Sequence, residues 1–182
     1  MKKTMWLLFL LCFIPASSWA APVTVSFDPQ DSIVVVGDIF PVDLLADIPD
    51  PVLGWVLDVT FDTSVLDLTG VTVGSAWFST SGPDGDGLAG LAFPMPVYGD
   101  DILLATLTFE AIALGTSDLT SNITLGDLTE GFPLFPTGFA EVTFQAGSVN
   151  AVPVSATIPA TILLFSSGLI GLAGLRKRFR KR

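Results

Sequence analysis

The residues best equipped for chemistry in this 182-residue chain are carboxylates set in loops. Ser81-Gly82-Pro83-Asp84-Gly85-Asp86-Gly87 places Asp84 and Asp86 among backbone carbonyls, the hard oxygen ligands that Ca²⁺ takes. Gly99-Asp100-Asp101 is a second acidic turn, and Asp84, Asp86, Asp100 and Asp101 together form a candidate calcium set. The pattern lacks the third acid and the distal Glu of an EF-hand, and a solvated Asp-Gly turn is the plainer alternative. Aromatic rings are the second resource. Trp55 and Trp77, with Phe78, Phe93 and Tyr98, could supply a stacking platform for sugars; Trp55 sits on the apolar face of its strand and suits a core, whereas Trp77, Phe78 and Tyr98 lie nearer loops and are the better candidates. Asn122-Ile123-Thr124 fits a glycosylation sequon, a match of little weight by itself.

The groups that are missing narrow the chemistry further. Between Ala21 and Leu175 there is no His, Lys, Arg or Cys, which excludes Ser-His-Asp and Cys-His nucleophiles, lysine Schiff bases and cationic oxyanion stabilisation. Two carboxylates suffice for a glycosidase, but these are scattered over turns and polar strand positions, where they solvate the surface and guard sheet edges. The expectation is a protein that is not an enzyme, with no cofactor other than a possible calcium ion.

Charge is sharply partitioned along the chain. All 18 acids fall between Asp28 and Glu141, and the eight bases are confined to Lys2, Lys3 and the six that follow Leu175, so residues 21–175 carry a formal charge of -18. Nucleic acid is excluded as a partner, because phosphates need clustered cations. The single cysteine, Cys12, lies in the first apolar segment, so the body must fold without a disulfide.

The elements that must position these residues read as short strands. Val23–Phe27, Ser32–Val36 and Ile39–Ala46 form three, with Gly37-Asp38 a tight turn between the second and third. In the next, Trp55, Leu57, Val59 and Phe61 share one face while Asp58, Thr60 and Asp62 take the other. Leu66–Val73, Gly87–Phe93, Ile102–Ile112, Asp118–Leu125 and Phe139–Ala146 continue the series, with Leu103, Ala105, Leu107, Phe109 and Ala111 alternating along the third of these. No helical period occurs between Ala21 and Val149, so an all-β sandwich or jelly roll is expected over residues 21–148.

The two termini read as addresses. Residues 1–20 pair Lys2 and Lys3 with an apolar stretch, Pro15 and the small-residue site Ser18-Trp19-Ala20, the pattern of a signal peptide cleaved between Ala20 and Ala21. Residues 149–157 are small and uncharged and read as a linker. Residues 158–175 are apolar and, as a helix of about 27 Å, would just cross a hydrocarbon core of about 30 Å. Residues 176–182 then stop the span with Arg176, Lys177, Arg178, Arg180, Lys181 and Arg182, which would lie in the cytoplasm. Ser167, Gly168, Gly171 and Gly174 would let that helix pack closely against another. A plain membrane anchor is the alternative to a sorting signal.

Two family resemblances rest on these residues. Val35-Val36-Gly37-Asp38-Ile39-Phe40, the run from Trp55 through Phe61-Asp62-Thr63-Ser64-Val65-Leu66, Leu103 through Ala111, and Gly115-Thr116-Ser117 resemble a cohesin-type domain in their order along the chain. The resemblance implies a jelly-roll-like sandwich of about nine strands with a protein-binding face. The tail resembles the PEP-CTERM sorting signal of Gram-negative bacteria, with Val152-Pro153-Val154-Ser155-Ala156 as a variant motif in which Val154 and Ser155 replace the usual Glu and Pro. This second resemblance implies an exosortase-like processing enzyme as partner. The precursor would sit in the inner membrane facing the periplasm and be delivered to the cell envelope or extracellular matrix. The expected role is adhesion or exopolysaccharide and biofilm assembly through a surface protein or exopolysaccharide. A stand-alone carbohydrate-binding module and a permanently anchored periplasmic binding domain are the alternatives.

Overall fold

The computed structural model describes residues 21–79, 87–92, 94–124 and 130–154. Among them eleven strands occur: β1 Val23–Asp28, β2 Asp31–Val35, β3 Ile39–Val52, β4 Gly54–Thr60, β5 Leu66–Val73, β6 Phe78–Ser79, β7 Leu88–Leu91, β8 Val97–Ala111, β9 Gly115–Asn122, β10 Val142–Phe144 and β11 Gly147–Val152. They form a five-stranded sheet, β10-β1-β3-β8-β5, and a six-stranded sheet, β2-β11-β9-β4-β7-β6. No helix among the described residues is long and apolar enough to cross a membrane, and the expected span at 158–175 lies outside them.

Period-two patterning builds the core. Along β4, Trp55, Leu57 and Val59 are buried while Asp58 and Thr60 point outward, as the alternation requires. Leu44, Leu107, Phe109 and Leu119 meet them between the sheets, each such burial stabilising by about 1.5–3 kcal/mol. Phe61 and Phe109 pack edge to face at 5.1 Å, and Trp55 and Trp77 at 6.4 Å. One register differs from the sequence expectation. Leu104, not Leu103, is fully buried, because the β3–β8 pairing slips between Leu44 and Leu45 and sets Leu104 and Ala105 inward in succession.

The terminal strands change sheets together. β1 and β10 pair in parallel in one sheet, and β2 and β11 pair in parallel in the other. Between them Ser148 N–H donates to the Gln30 carbonyl at 2.7 Å, and the Gln30 amide donates to the Ala146 carbonyl at 3.0 Å. With β1–β2 and β10–β11 each counted once, the described residues contain nine strands.

β11 corrects the boundary drawn at residue 148. Residues 149–152, expected in a linker, lie in a strand between β2 and β9, with Val149 and Ala151 buried. Gly, Ser, Asn and Ala gave this segment the composition of a linker, but Val149 and Ala151 alternate with Ser148 and Asn150, and pairing on both flanks decides the outcome. The compact unit ends at Val152.

Candidate interaction surface

Several carboxylates in this fold hold loops. Asp38 accepts the Val35 N–H at 3.0 Å and closes the turn at Gly37, whose φ of 95° suits glycine. Asp62 accepts both the Ser64 hydroxyl at 2.6 Å and the Ser64 N–H at 2.9 Å, and these bonds hold its carboxyl below its ordinary value. Asp58 accepts the Gly87 N–H and the Thr124 hydroxyl, while Glu130 accepts the Thr124 N–H.

Of the candidate calcium set, Asp84 and Asp86 lie outside the described residues. Asp100 and Asp101 are exposed at the start of β8, where Asp101 has a φ of 52° and its N–H donates to Asp47 Oδ1 at 2.9 Å. Among the described residues no three carboxylates gather to hold a metal ion.

The three aromatics selected for sugar stacking are separated. Trp77 is only 7% exposed, packs edge to face with Trp55 and donates its indole N–H to the Leu103 carbonyl at 2.9 Å, so it belongs to the core and corrects that expectation. A turn closed by the Trp77 N–H on the Gly74 carbonyl precedes β6, so strand alternation could not have predicted the ring's direction. Phe78 is exposed on β6 opposite Leu91, and Tyr98 is exposed on β8.

The outer faces of both sheets carry polar rows, interrupted by exposed Ile33, Phe78 and Leu91 on the six-stranded sheet and Ile39 at the start of β3. On the six-stranded sheet, register aligns Asp58 with Asn122, Thr60 with Thr120 and Asp118 with Ser148, and on the five-stranded sheet the Thr106 hydroxyl donates to Asp43 Oδ1 at 2.6 Å.

Exposed rings concentrate where β3 passes into β4 at Pro51–Gly54. Val52 pairs with Val97 on one side and with Leu134 on the other, so three chain segments lie side by side. Gly131 exchanges backbone hydrogen bonds with Val56, Leu53 N–H donates to Pro133 and Phe135 N–H to Pro51. Phe132 is fully buried and anchors this segment, which then folds back so that Pro133 bridges Phe139 and Leu134 N–H donates to Gly138. Because Val52, Val97 and Leu134 face the core, their neighbours Pro51, Tyr98 and Phe135 face out, joined by Leu53, Pro133 and Phe139. Tyr98 is 65% exposed, Phe135 57% and Phe139 52%. Sequence reasoning missed Phe135 and Phe139, although Pro136-Thr137-Gly138 between the two rings is a turn signal.

Of the sorting motif, Val152 is the last residue of β11 and its carbonyl accepts the Val36 N–H, while Pro153 and Val154 are exposed. Ser155, Ala156, the basic residues from Arg176 to Arg182 and Ala20 lie outside the described residues, whereas Ala21 is exposed.

Comparisons with known proteins place the fold. Neither a protein-family model nor a curated protein sequence matches the chain. Among solved structures, a non-cellulosomal cohesin from the archaeon Archaeoglobus fulgidus is similar with a TM-score of 0.57 at 17% identity, over 72% of this chain and 92% of that one. The seventh ScaB type I cohesin from Pseudobacteroides cellulosolvens gives 0.57 at 16% identity, over 75% and 95%. A type I cohesin–dockerin complex from Clostridium thermocellum gives 0.59 at 14% identity, over 76% and 99%. The sandwich is cohesin-like in fold.

Proposed function

We propose that this chain is an exported, non-enzymatic protein-binding domain carried on a membrane-sorting tail. The observation that carries the binding half is the cohesin-like sandwich, since similar solved cohesins include complexes with dockerins from Clostridium thermocellum and Acetivibrio cellulolyticus. The lack of His, Lys, Arg and Cys from Ala21 to Leu175 supports a binding role over catalysis. The sorting half rests on sequence: a signal peptide ending at Ala20, the variant motif Val152–Ala156, the apolar run 158–175 and the basic cluster 176–182. The mature protein then works in the envelope or extracellular matrix, in adhesion or biofilm assembly. Calcium enters only through the loop holding Asp84 and Asp86, near Asp100 and Asp101 in sequence.

One experiment addresses both halves: intact-mass analysis of the protein from the native host's envelope and medium, after photo-crosslinking at outward positions Thr120 and Phe135. The expected result is a species lacking residues 1–20 and the basic tail, crosslinked to another protein. A basic tail retained in every fraction leaves a permanent anchor. Absence of any protein adduct removes the binding role.

A further inference from the structure

We infer that the corner built by Pro51, Leu53, Tyr98, Pro133, Phe135 and Phe139 is a docking surface for an apolar protein segment flanked by lysine or arginine. The inference rests on the protein-binding reading and adds to it a place and a partner chemistry. Three observations carry it. The first is geometric: Tyr98, Pro51 and Phe135 stand on adjacent chain segments, so Tyr98 and Phe135 lie two strand spacings apart, about 10 Å, on a platform anchored from beneath by Val52 and Leu134. The second is composition. Between the rings lie Pro51, Leu53 and Pro133, which offer no side-chain hydrogen bond, so a sugar's hydroxyls would lose water there without replacement, whereas apolar side chains would not.

The third observation is charge. Asp50 adjoins Pro51, Asp100 and Asp101 follow Tyr98 closely, and residues 21–175 hold 18 acids and no base. A second copy of the domain would bring like charge against like, while a basic-flanked segment gains long-range attraction as well as apolar burial.

The test uses the full-length chain in nanodiscs and fluorescence anisotropy with short labelled peptides. One has a Leu/Phe centre with Lys/Arg flanks, one the same centre with Asp/Glu flanks, and one a Ser/Gly centre with Lys/Arg flanks; a neutral glucan oligomer is the fourth probe. The first peptide is expected to bind with a Kd of about micromolar order and to lose about tenfold or more in the triple variant Tyr98→Ser, Phe135→Ser, Phe139→Ser. Circular dichroism checks the fold, and the single variant Tyr98→Ser repeats the test should the triple variant unfold. Equal binding of the Ser/Gly peptide, unchanged affinity in the folded variant, or glucan binding that the variant abolishes would each overturn the inference. A native protein that crosslinks at Thr120 and is retained by the triple variant leaves the protein-binding reading intact and removes only this surface. No crosslinked protein at any position removes both.

Discussion

At the end of the sandwich where β11 finishes, backbone and carboxylate hydrogen bonds stitch three turns together, whereas at the opposite end, where β3 becomes β4, aromatic and proline side chains fill the corner. The first end is dense with specific pairings. Gly37 N–H donates to Ala111, Ala111 N–H to Asp38, Ile112 N–H to Val65, and Asp62 N–H to the Ser117 hydroxyl. The second end is paired through the backbone too, but there Phe132, Val52 and Leu134 lie beneath three exposed rings, Tyr98, Phe135 and Phe139. Fixed turns hold the architecture at one end, while at the other the exposed rings contribute surface more than structure.

The contrast can be attacked at either end, and the largest effect is expected at the corner. Phe132→Ala should cost about 3–5 kcal/mol, because it removes the fully buried side chain that, together with half-buried Leu134, ties the 131–139 hairpin to the core. Urea unfolding followed by tryptophan fluorescence measures this, and a cost below that of an ordinary surface change would refute the anchoring role. At the other end, Ser117→Ala should cost about 1–3 kcal/mol by orphaning the Asp62 N–H beside a buried site, and Ser117→Thr should recover part of it. Tyr98→Ser and Phe135→Ser should each change stability by no more than about 0.5 kcal/mol, which would separate rings that bind from the ring that holds.

Ionic conditions probe the whole domain more gently. NaCl should raise the thermal midpoint modestly by screening 18 like charges, and CaCl₂ at matched ionic strength should do the same. A further rise with calcium, abolished in Asp84→Asn, Asp86→Asn, would mark a specific site. The smallest effect concerns Asp62. Its folded-state carboxyl titrates below the unfolded one, so its contribution is present above the unfolded value and is lost as pH falls through the folded value. NMR titration should therefore find Asp62 still ionised at a pH where an unpaired aspartate has protonated. In Ser64→Ala that difference should shrink.

The two ends were also unequally legible. Of the residues that carried the resemblance, Val35–Phe40, Phe61–Leu66, Ala111 and Gly115–Ser117 cluster at the stitched end, because turn chemistry is local and Gly37-Asp38 or Asp62-Thr63-Ser64 declares itself within a few positions, while Trp55–Thr60 and Leu103–Glu110 run along β4 and β8. Trp55, Leu57 and Val59 were legible for the same reason: alternation needs no knowledge of distant chain. The corner was not. Pro133 and Pro136 break the strand pattern, and the partners of the 131–135 segment are Pro51–Val56, about eighty residues earlier, a pairing that no short window contains. Trp77 followed its turn, not a strand period, and β11 hid behind linker-like composition until β2 and β9 were seen on either side of it.

That last placement has a mechanical meaning. β11 is registered through five residue pairs with β2 on one flank and five with β9 on the other, so a load applied at Val152 along its axis would be borne by both flanks. Tension along a strand shears those hydrogen bonds together, whereas tension across it would peel them one at a time. Under a load along its axis β11 would act as a clamp, because its ten residue pairs would have to give way together.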